Sequence, residues 1–300
     1  MRHITTTLVR YGLWPGLLAL CLGTTIYGVL HDSGFLLFNI AYLALAVVLF
    51  FAERALPFER AWLKNDGQIW VDLAHTALSK GVAQVLIVVG AVFGLAENFA
   101  ESGLNIWPTE WPLLAQVALG LVVIEAGLYA AHRLSHEVPL FWRFHAVHHS
   151  AKRLSFINTG RFHFVDTAVS ILLSQPLLFL AGAPIEVFKL TSATTAFIGM
   201  LTHCNVDMRF GWLSYVFNTP TLHRFHHSKD LREGNKNYGE NLVLFDLLFG
   251  TYYNASYRPP VDIGIDGPMP DDFLGQLAQP FRNERKAAVT PADISPAGQS

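Results

Sequence analysis

Tyr129 to Ser150, reading YAAHRLSHEVPLFWRFHAVHHS, and Thr219 to Ser228, reading TPTLHRFHHS, together hold eight of the thirteen histidines of a 300-residue chain. Dispersed core histidines would not concentrate in this way. The spacings are His132-xxx-His136, then His145-xx-His148-His149, then His223-xx-His226-His227. On an α-helix, residues three and four apart lie on one face and can share a centre. Adjacent residues point about 100° apart around the helix and cannot. Each HxxHH run therefore suits two neighbouring metal ions better than one.

The surroundings of these stretches are apolar. The chain is 52% hydrophobic and only 15% charged, with a mean hydropathy of +0.33, whereas a soluble domain carries about 25% charged residues. The deficit points to a membrane protein. A net charge of −2 with no Lys/Arg tract gives no sign of nucleic-acid binding. Two cysteines, Cys21 and Cys204, make neither a disulfide framework nor a CxxC site and read as unpaired thiols.

Leu13 to Leu30 and Gly34 to Ala52 are runs close to the roughly 20 residues that cross a bilayer as helix. Only a short turn separates them, so they form a hairpin. Glu53 to His75 is polar and amphipathic, with Trp62 and Trp70 as interface anchors, and is expected to lie on the membrane surface. A second hairpin is expected from Leu78–Ala96 and Trp111–Ala131. Thr167–Ala181 and Ile185–Leu201 are apolar too, but their shortness and the Gly182-Ala183-Pro184 break suggest a re-entrant or partly spanning hairpin. Glu240–Phe249 is one more apolar helix candidate, and the tail after Pro280 has the composition of a disordered segment.

Lys and Arg flank these spans on one side only: Arg2 and Arg10, then Arg54, Arg60 and Lys64, then Arg133, Arg143, Lys152, Arg153 and Arg161, while the opposite loops have none. The positive-inside rule then places both termini and every histidine cluster on the cytoplasmic side. The fold class that follows is all-α: a polytopic membrane protein with four main transmembrane helices, a shorter apolar hairpin and a cytoplasmic helical cap holding two metals. Residues 1–110 form N-terminal membrane hairpins with an interfacial segment, 111–255 the catalytic region, and 256–300 a C-terminal extension.

His132 stands at the cytoplasmic end of the fourth span, and His136 follows one turn later on the same face. Pro139 breaks that helix, and a second helix carries His145, His148 and His149. With His203, His223, His226 and His227 the set reaches nine imidazoles, enough for two metal ions, and neutral imidazole suits iron, zinc, copper or nickel. A lone HxxxH is more often an ordinary surface or packed pair, and one HxxHH is a moderate signal. Two HxxHH runs plus HxxxH on the same side of the membrane are a strong one.

HRLSHEVPLFWRFHAVHHS, the following RFHFVD, then HCNV, TPTLHRFHHS and NKNYGENLVLFDLLFGTYY resemble, in order and spacing, the fatty acid hydroxylase superfamily, also called the sterol desaturase family. The resemblance covers roughly residues 120–255. It implies an integral-membrane, histidine-ligated enzyme that uses two iron ions, O2 and two external electrons to hydroxylate or desaturate a sterol-like, fatty acyl or related lipid. His132, His136, His145, His148, His149, His203, His223, His226 and His227 sit at the family's ligand positions. His163-Phe164 stands where the family commonly has His-Pro, and Asp166 where an acid, often Glu, is usual. Asp207 stands four residues after His203, where some members carry a further histidine; with Asn205 it offers an oxygen instead.

Soluble diiron bundles use mainly Glu with a few His, and only Glu137, Asp166 and Asp207 lie close in sequence to these clusters. Cleaving an unactivated C–H bond is a task for the metal rather than for side chains. Glu125 lies inside the fourth span, about 20° from His132 around the helix and roughly 10 Å deeper, with Tyr129 between them. An ionisable residue in a span is a functional candidate. Glu125 and Tyr129 either support His132 from behind, line the lipid entrance, or make a structural hydrogen bond to a neighbouring helix.

Two other classes compete with an enzyme. A bis-histidine haem protein passing electrons needs one histidine on each of two facing helices, which clustered pairs do not resemble. A metal-handling or transport protein needs ligands near the bilayer midplane, whereas these lie at its edge. The sequence has no dinucleotide-binding GxGxxG in a strand–helix setting and no ferredoxin cysteine set. A separate ferredoxin or cytochrome with its reductase is therefore expected as electron donor, and a bacterial inner membrane as the compartment.

Overall fold

The computed structural model describes residues 2–90 and 104–282. The described part is helical, and its only β-pairings are three isolated bridges. Helices α1 (Arg2–Leu30) and α2 (Gly34–Ala55) form the first hairpin. They lean on α8 (Ile185–His203), and a shared core of Trp14, Leu18, Leu45, Leu49 and Phe197 fills the junction. The outer face of α2 keeps Phe35, Leu36, Leu43, Val47 and Phe51 exposed, as a surface bathed in lipid rather than water would.

After α2 the chain runs through α3 (Ile69–Ala74), a π-helical stretch from His75 to Gly81 and α4 (Val82–Gly90). The remainder of the expected 78–96 span lies outside the described residues, as does the tail beyond 282. Trp62 is not an interface anchor: it is buried, and its indole N–H donates to the Val261 carbonyl at 3.1 Å. Trp70 is 80% exposed, the accessibility an interface anchor needs.

Helix α5 (Leu113–Glu137) is the axis of the molecule, and α7 (Phe164–Ala181) packs along it. Two glycines let these backbones approach. A Cβ on Gly127 would sit 2.1 Å from the Leu173 carbonyl oxygen, and one on Gly120 would sit 2.7 Å from the Thr191 side chain of α8. Small residues are how helices close on one another in lipid, where hydrophobic burial gives no drive. Four described helices are long and apolar enough to cross a membrane: Val9–Leu30, Gly34–Ala55, Leu113–Glu137 and Phe164–Ala181. The last is one arm of the hairpin that the sequence left as re-entrant or partly spanning; its other arm, α8, is not among the four.

Helix α6 (Pro139–His149) follows α5 after one residue, as Pro139 dictates, and crosses over its end. Short helices α9 (Pro220–His226), α10 (Leu231–Gly234) and α11 (Leu244–Phe249) close the cap. The expected helix over 240–249 begins only at Leu244, because residues 238–243 form a loop that reaches down against α5. Beyond it, α12 (Phe273–Ala278) is tied back to the body by Gln276, which is fully buried and shares a 2.9 Å hydrogen bond with the His75 ring. Cys21 and Cys204 are buried, free thiols.

Candidate metal centre

All nine clustered histidines are buried where α5, α6, α8 and α9 end. They fall into two groups, His132, His136, His145, His149 and His226 in one and His148, His203, His223 and His227 in the other, and within each group one ring nitrogen per residue lies within 4.8 Å of the rest. Helix geometry separates adjacent histidines, and the tertiary fold selects the four-residue pairs. His145 and His149, one turn apart on α6, share a group, as do His223 and His227 across α9, while His148 and His226 turn toward the opposite group.

The second nitrogen of most rings is already committed. Nδ1 of His132 donates to the Tyr238 carbonyl at 2.8 Å, His226 to the Lys236 carbonyl at 2.7 Å and His148 to the Arg161 carbonyl at 3.3 Å. His145 donates to the Asp166 carboxylate at 2.9 Å, His136 to Asn235 Oδ1 at 3.2 Å and His203 to Asn158 Oδ1 at 3.2 Å. These oxygens only accept, so each Nδ1 holds the proton and each Nε2 is left as a bare lone pair. Nε2 of His132, His136 and His145 is buried without a hydrogen-bond partner.

Converging, unprotonated nitrogens in a buried site repel one another unless a cation sits among them. The spacing suits one. An ion about 2.1 Å from each ligand sets neighbouring nitrogens about 3.0 Å apart at right angles and about 3.4 Å apart in a tetrahedron; the closest Nε2 pairs, nearer the first value, are His203–His223 at 2.8 Å, His223–His227 at 3.0 Å, and His149–His226 and His148–His227 at 3.1 Å. Burial, reinforced by the neighbouring imidazoles, holds His148, His149, His223, His226 and His227 well below the usual imidazole range. They are therefore neutral near pH 7, the state in which imidazole binds metal. The donor set fits two metal ions in adjacent sites.

The acceptors behind the rings are themselves braced. The Arg161 side chain, whose backbone serves His148, is buried and donates to Asp72 at 2.7 Å, Ser150 at 3.0 Å and the Val147 carbonyl at 3.1 Å. Asn158 closes a capping box with Ser155, and Ser155 and the Phe156 N–H both donate to Glu53, buried in the last turn of α2. Asp246 takes the backbone N–H groups of Tyr238 and Gly239, both at 2.8 Å, and the Thr251 hydroxyl at 2.7 Å. Each brace ties one shell of the site to a different helix.

The sequence candidates outside the nine are placed as follows. Glu125 is fully buried and does not touch His132; its carboxylate accepts from Glu240 N at 2.6 Å, Asn241 N at 3.0 Å and Asn241 Nδ2 at 2.9 Å. It thereby pins the loop whose Tyr238 carbonyl receives His132. Tyr129 shares a 2.9 Å hydrogen bond with Thr251. His163 accepts from Val165 N at the start of α7, and its other nitrogen donates to the Leu277 carbonyl. Asn205 and Asp207 face away from both groups: Asn205 exchanges hydrogen bonds with the Glu59 backbone, and Asp207 pairs with Arg10 at 2.7 Å. Beyond Cys204 the chain leaves the helix in extended form, which carries both side chains off the histidine face.

Asn158, Asn235 and the carbonyls of Arg161, Lys236 and Tyr238 did not stand out in the sequence. The paired asparagine and carbonyl positions have no spacing signal, because they come from loops. A cavity of about 400 Å³ reaches His136, His149 and His226 from the surface past Trp142 and Met269.

The fatty acid hydroxylase family model matches residues 117–251. The ornithine lipid hydroxylase OlsE of Rhizobium tropici is 50% identical over 283 residues, covering 92% of this chain and 86% of that protein. The alkylglycerol monooxygenases of Xenopus tropicalis and Homo sapiens are 26% and 27% identical over 218 and 220 residues, in each case 70% of this chain but 47% and 48% of the relative. No solved structure matches the chain.

Proposed function

The chain belongs to the fatty acid hydroxylase family, and from that premise we propose that it is a membrane-bound lipid hydroxylase whose nine histidines hold two iron ions. The observation that carries the reading is the convergence of buried, unprotonated Nε2 atoms into two adjacent groups at the end of α5, a helix long and apolar enough to span a membrane. Iron, with O2 and two electrons, supplies the C–H cleavage that side chains lack. The protein's part is to fix the imidazoles, keep water out and present the lipid. Asp166, Asn158 and Asn235 hold the rings of His145, His203 and His136 in one tautomer. Glu125 and Asp246 hold the loop that serves His132. Tyr129, His163, Asn205 and Asp207 act further out, as links between helices and loops.

The substrate that the resemblance to the Rhizobium tropici protein supports is an ornithine-headed lipid. Electrons come from a separate ferredoxin or cytochrome with its reductase. The membrane is a bacterial inner membrane with the histidines on its cytoplasmic face, a reading that rests on the one-sided distribution of Lys and Arg around the spans.

The test is a comparison of lipid extracts by mass spectrometry from cells supplied with ornithine lipid and O2, making either the wild type or His148→Ala. A species 16 mass units heavier, present only with the wild type, is expected, together with iron in the purified protein by elemental analysis. Identical lipid profiles, or a purified active protein free of iron, overturn the reading.

A further inference from the structure

Two charged side chains near the histidines have no part in the scheme above. Lys80 comes from the π-helical stretch His75–Gly81, and Glu240 from the loop pinned by Glu125. Both are half-buried. Neither side chain makes a hydrogen bond or ion pair among the described residues; Lys80 Nζ rests on the ring of Phe162, 4.8 Å from its centroid. Phe162 in turn stacks on His148, with centroids 4.2 Å apart and planes 16° from parallel. Lys80 is thus one aromatic ring away from a candidate metal ligand.

The position of Lys80 is built rather than incidental. His75 and Ser79, on the same π-helical stretch, both donate to the Phe162 carbonyl, at 3.2 and 2.6 Å. Thr76 of that stretch packs against Gly160 so closely that a Cβ there would lie 2.2 Å from its hydroxyl oxygen. π-helical turns are rare and recur at functional sites, where the extra residue re-aims a side chain. Lys80 and Glu240 are each within electrostatic reach of the other and of Asp166. Asp166, however, is engaged by His145 and Ser135, and Glu125 by the 240–241 loop. Lys80 and Glu240 are thus opposite charges that attract one another with no direct hydrogen bond or ion pair between them among the described residues.

An ammonium resting on Phe162 and a carboxylate on the loop bound to Glu125, not joined directly and beside the candidate metal centre, are a poor surface for hydrocarbon, which would strip their water and return nothing. They suit a ligand that carries both opposite charges. We propose that Lys80 and Glu240 form the subsite for the zwitterionic head of the lipid substrate, Lys80 binding its carboxylate and Glu240 its ammonium. The proposal rests on the lipid hydroxylase reading and adds to it the part of the substrate that this chain recognises.

The probes are an acylated ornithine with one free amine and one free carboxylate, its N-acetyl derivative and its methyl ester. Equilibrium binding is measured with iron-loaded wild type, Lys80→Met, Lys80→Arg and Glu240→Gln in neutral detergent micelles. Lys80→Met weakens the two carboxylate-bearing probes about tenfold, the loss expected of one charged hydrogen bond, and leaves the methyl ester unchanged, while Lys80→Arg restores binding. Glu240→Gln weakens the two amine-bearing probes and spares the N-acetyl derivative. Variants that bind all three probes as the wild type does, or that weaken all three equally, overturn the subsite. Iron content measured on the same samples identifies variants that damage the metal groups instead. Absence of any oxidised product from the wild type supplied with a reductant and O2 counts against the hydroxylase reading alone, since the binding pattern stands apart from turnover.

Discussion

Replacing Glu125 by Gln changes one oxygen to an amide, yet it strikes at the five-histidine group from about two helical turns away. The carboxylate accepts three hydrogen bonds, at 2.6, 3.0 and 2.9 Å, from Glu240 N, Asn241 N and Asn241 Nδ2. A glutamine has a single oxygen there. Its best rotamer keeps the two bonds from Asn241 and sets an NH2 group against the Glu240 N–H, leaving buried donors facing each other. Each orphaned buried donor costs about 1–3 kcal/mol, so the loop is released by roughly 2–4 kcal/mol. The loop carries the Tyr238 carbonyl, the fixed acceptor for His132. Losing such an outer partner lowers metal affinity about 10- to 100-fold. The assay is iron content under graded chelator, followed in wild type, Glu125→Gln and Glu125→Ala. One ion of the pair is expected to leave at lower chelator concentration in both variants, more so in Glu125→Ala, with the second retained as in wild type. Wild-type chelator curves for both variants would refute the link from Glu125 through Tyr238 to His132.

Asp166→Ala removes the acceptor of the His145 Nδ1 proton at 2.9 Å, so iron affinity of the same group falls about 10- to 100-fold, read by the same chelator titration. Gly127→Ala forces a Cβ to within 2.1 Å of the Leu173 carbonyl oxygen; the helices must separate, and the thermal midpoint of the detergent-solubilised protein falls by several degrees, about 2 kcal/mol or more for a clash of this kind. Burial, partly offset by the hydrogen bond to Gln276, lowers the His75 pKa to about 4. The unfolded chain protonates near 6.5 and the folded one does not, so His75 adds stability that is fully present above pH 6.5 and is lost as pH falls toward 4, about 3 kcal/mol in all. His75→Gln flattens that part of the stability curve, and equal acid slopes for wild type and variant would contradict the assignment.

The membrane helices and the histidine pairing were legible in the sequence for two simple reasons. Apolar runs of spanning length report solvent rather than partner, and a four-residue interval on a helix fixes which side chains share a face. That His148 and His149, or His226 and His227, serve different centres needed no tertiary knowledge, but which of each pair joins His145 or His223 did. The acceptors behind the rings did, since Tyr238 reaches His132 across 106 residues and Asn158 reaches His203 across 45. Glu125 stood out as a carboxylate in a span, but its partners are 115 and 116 residues distant, and no spacing connects them. Asn205 and Asp207 were attractive because they follow His203 closely. The helix ends at His203, and the extended backbone beyond it sends alternate side chains to Glu59 and Arg10 instead.

The exchange of adjacent histidines between the two groups has a consequence for the order of biosynthesis. Neither group is complete within one segment: the first waits for His226 and the second for His203, His223 and His227. Both therefore stay open while the ribosome is still adding residues and all four described spanning helices have already been made. If both groups hold an ion, metal loading belongs after membrane insertion, and the two sites close almost together, one residue of synthesis apart. Once in place the ions stitch α6 to α9 twice, so a nascent chain stopped before His226 is left with a cap that has nothing to hold it shut.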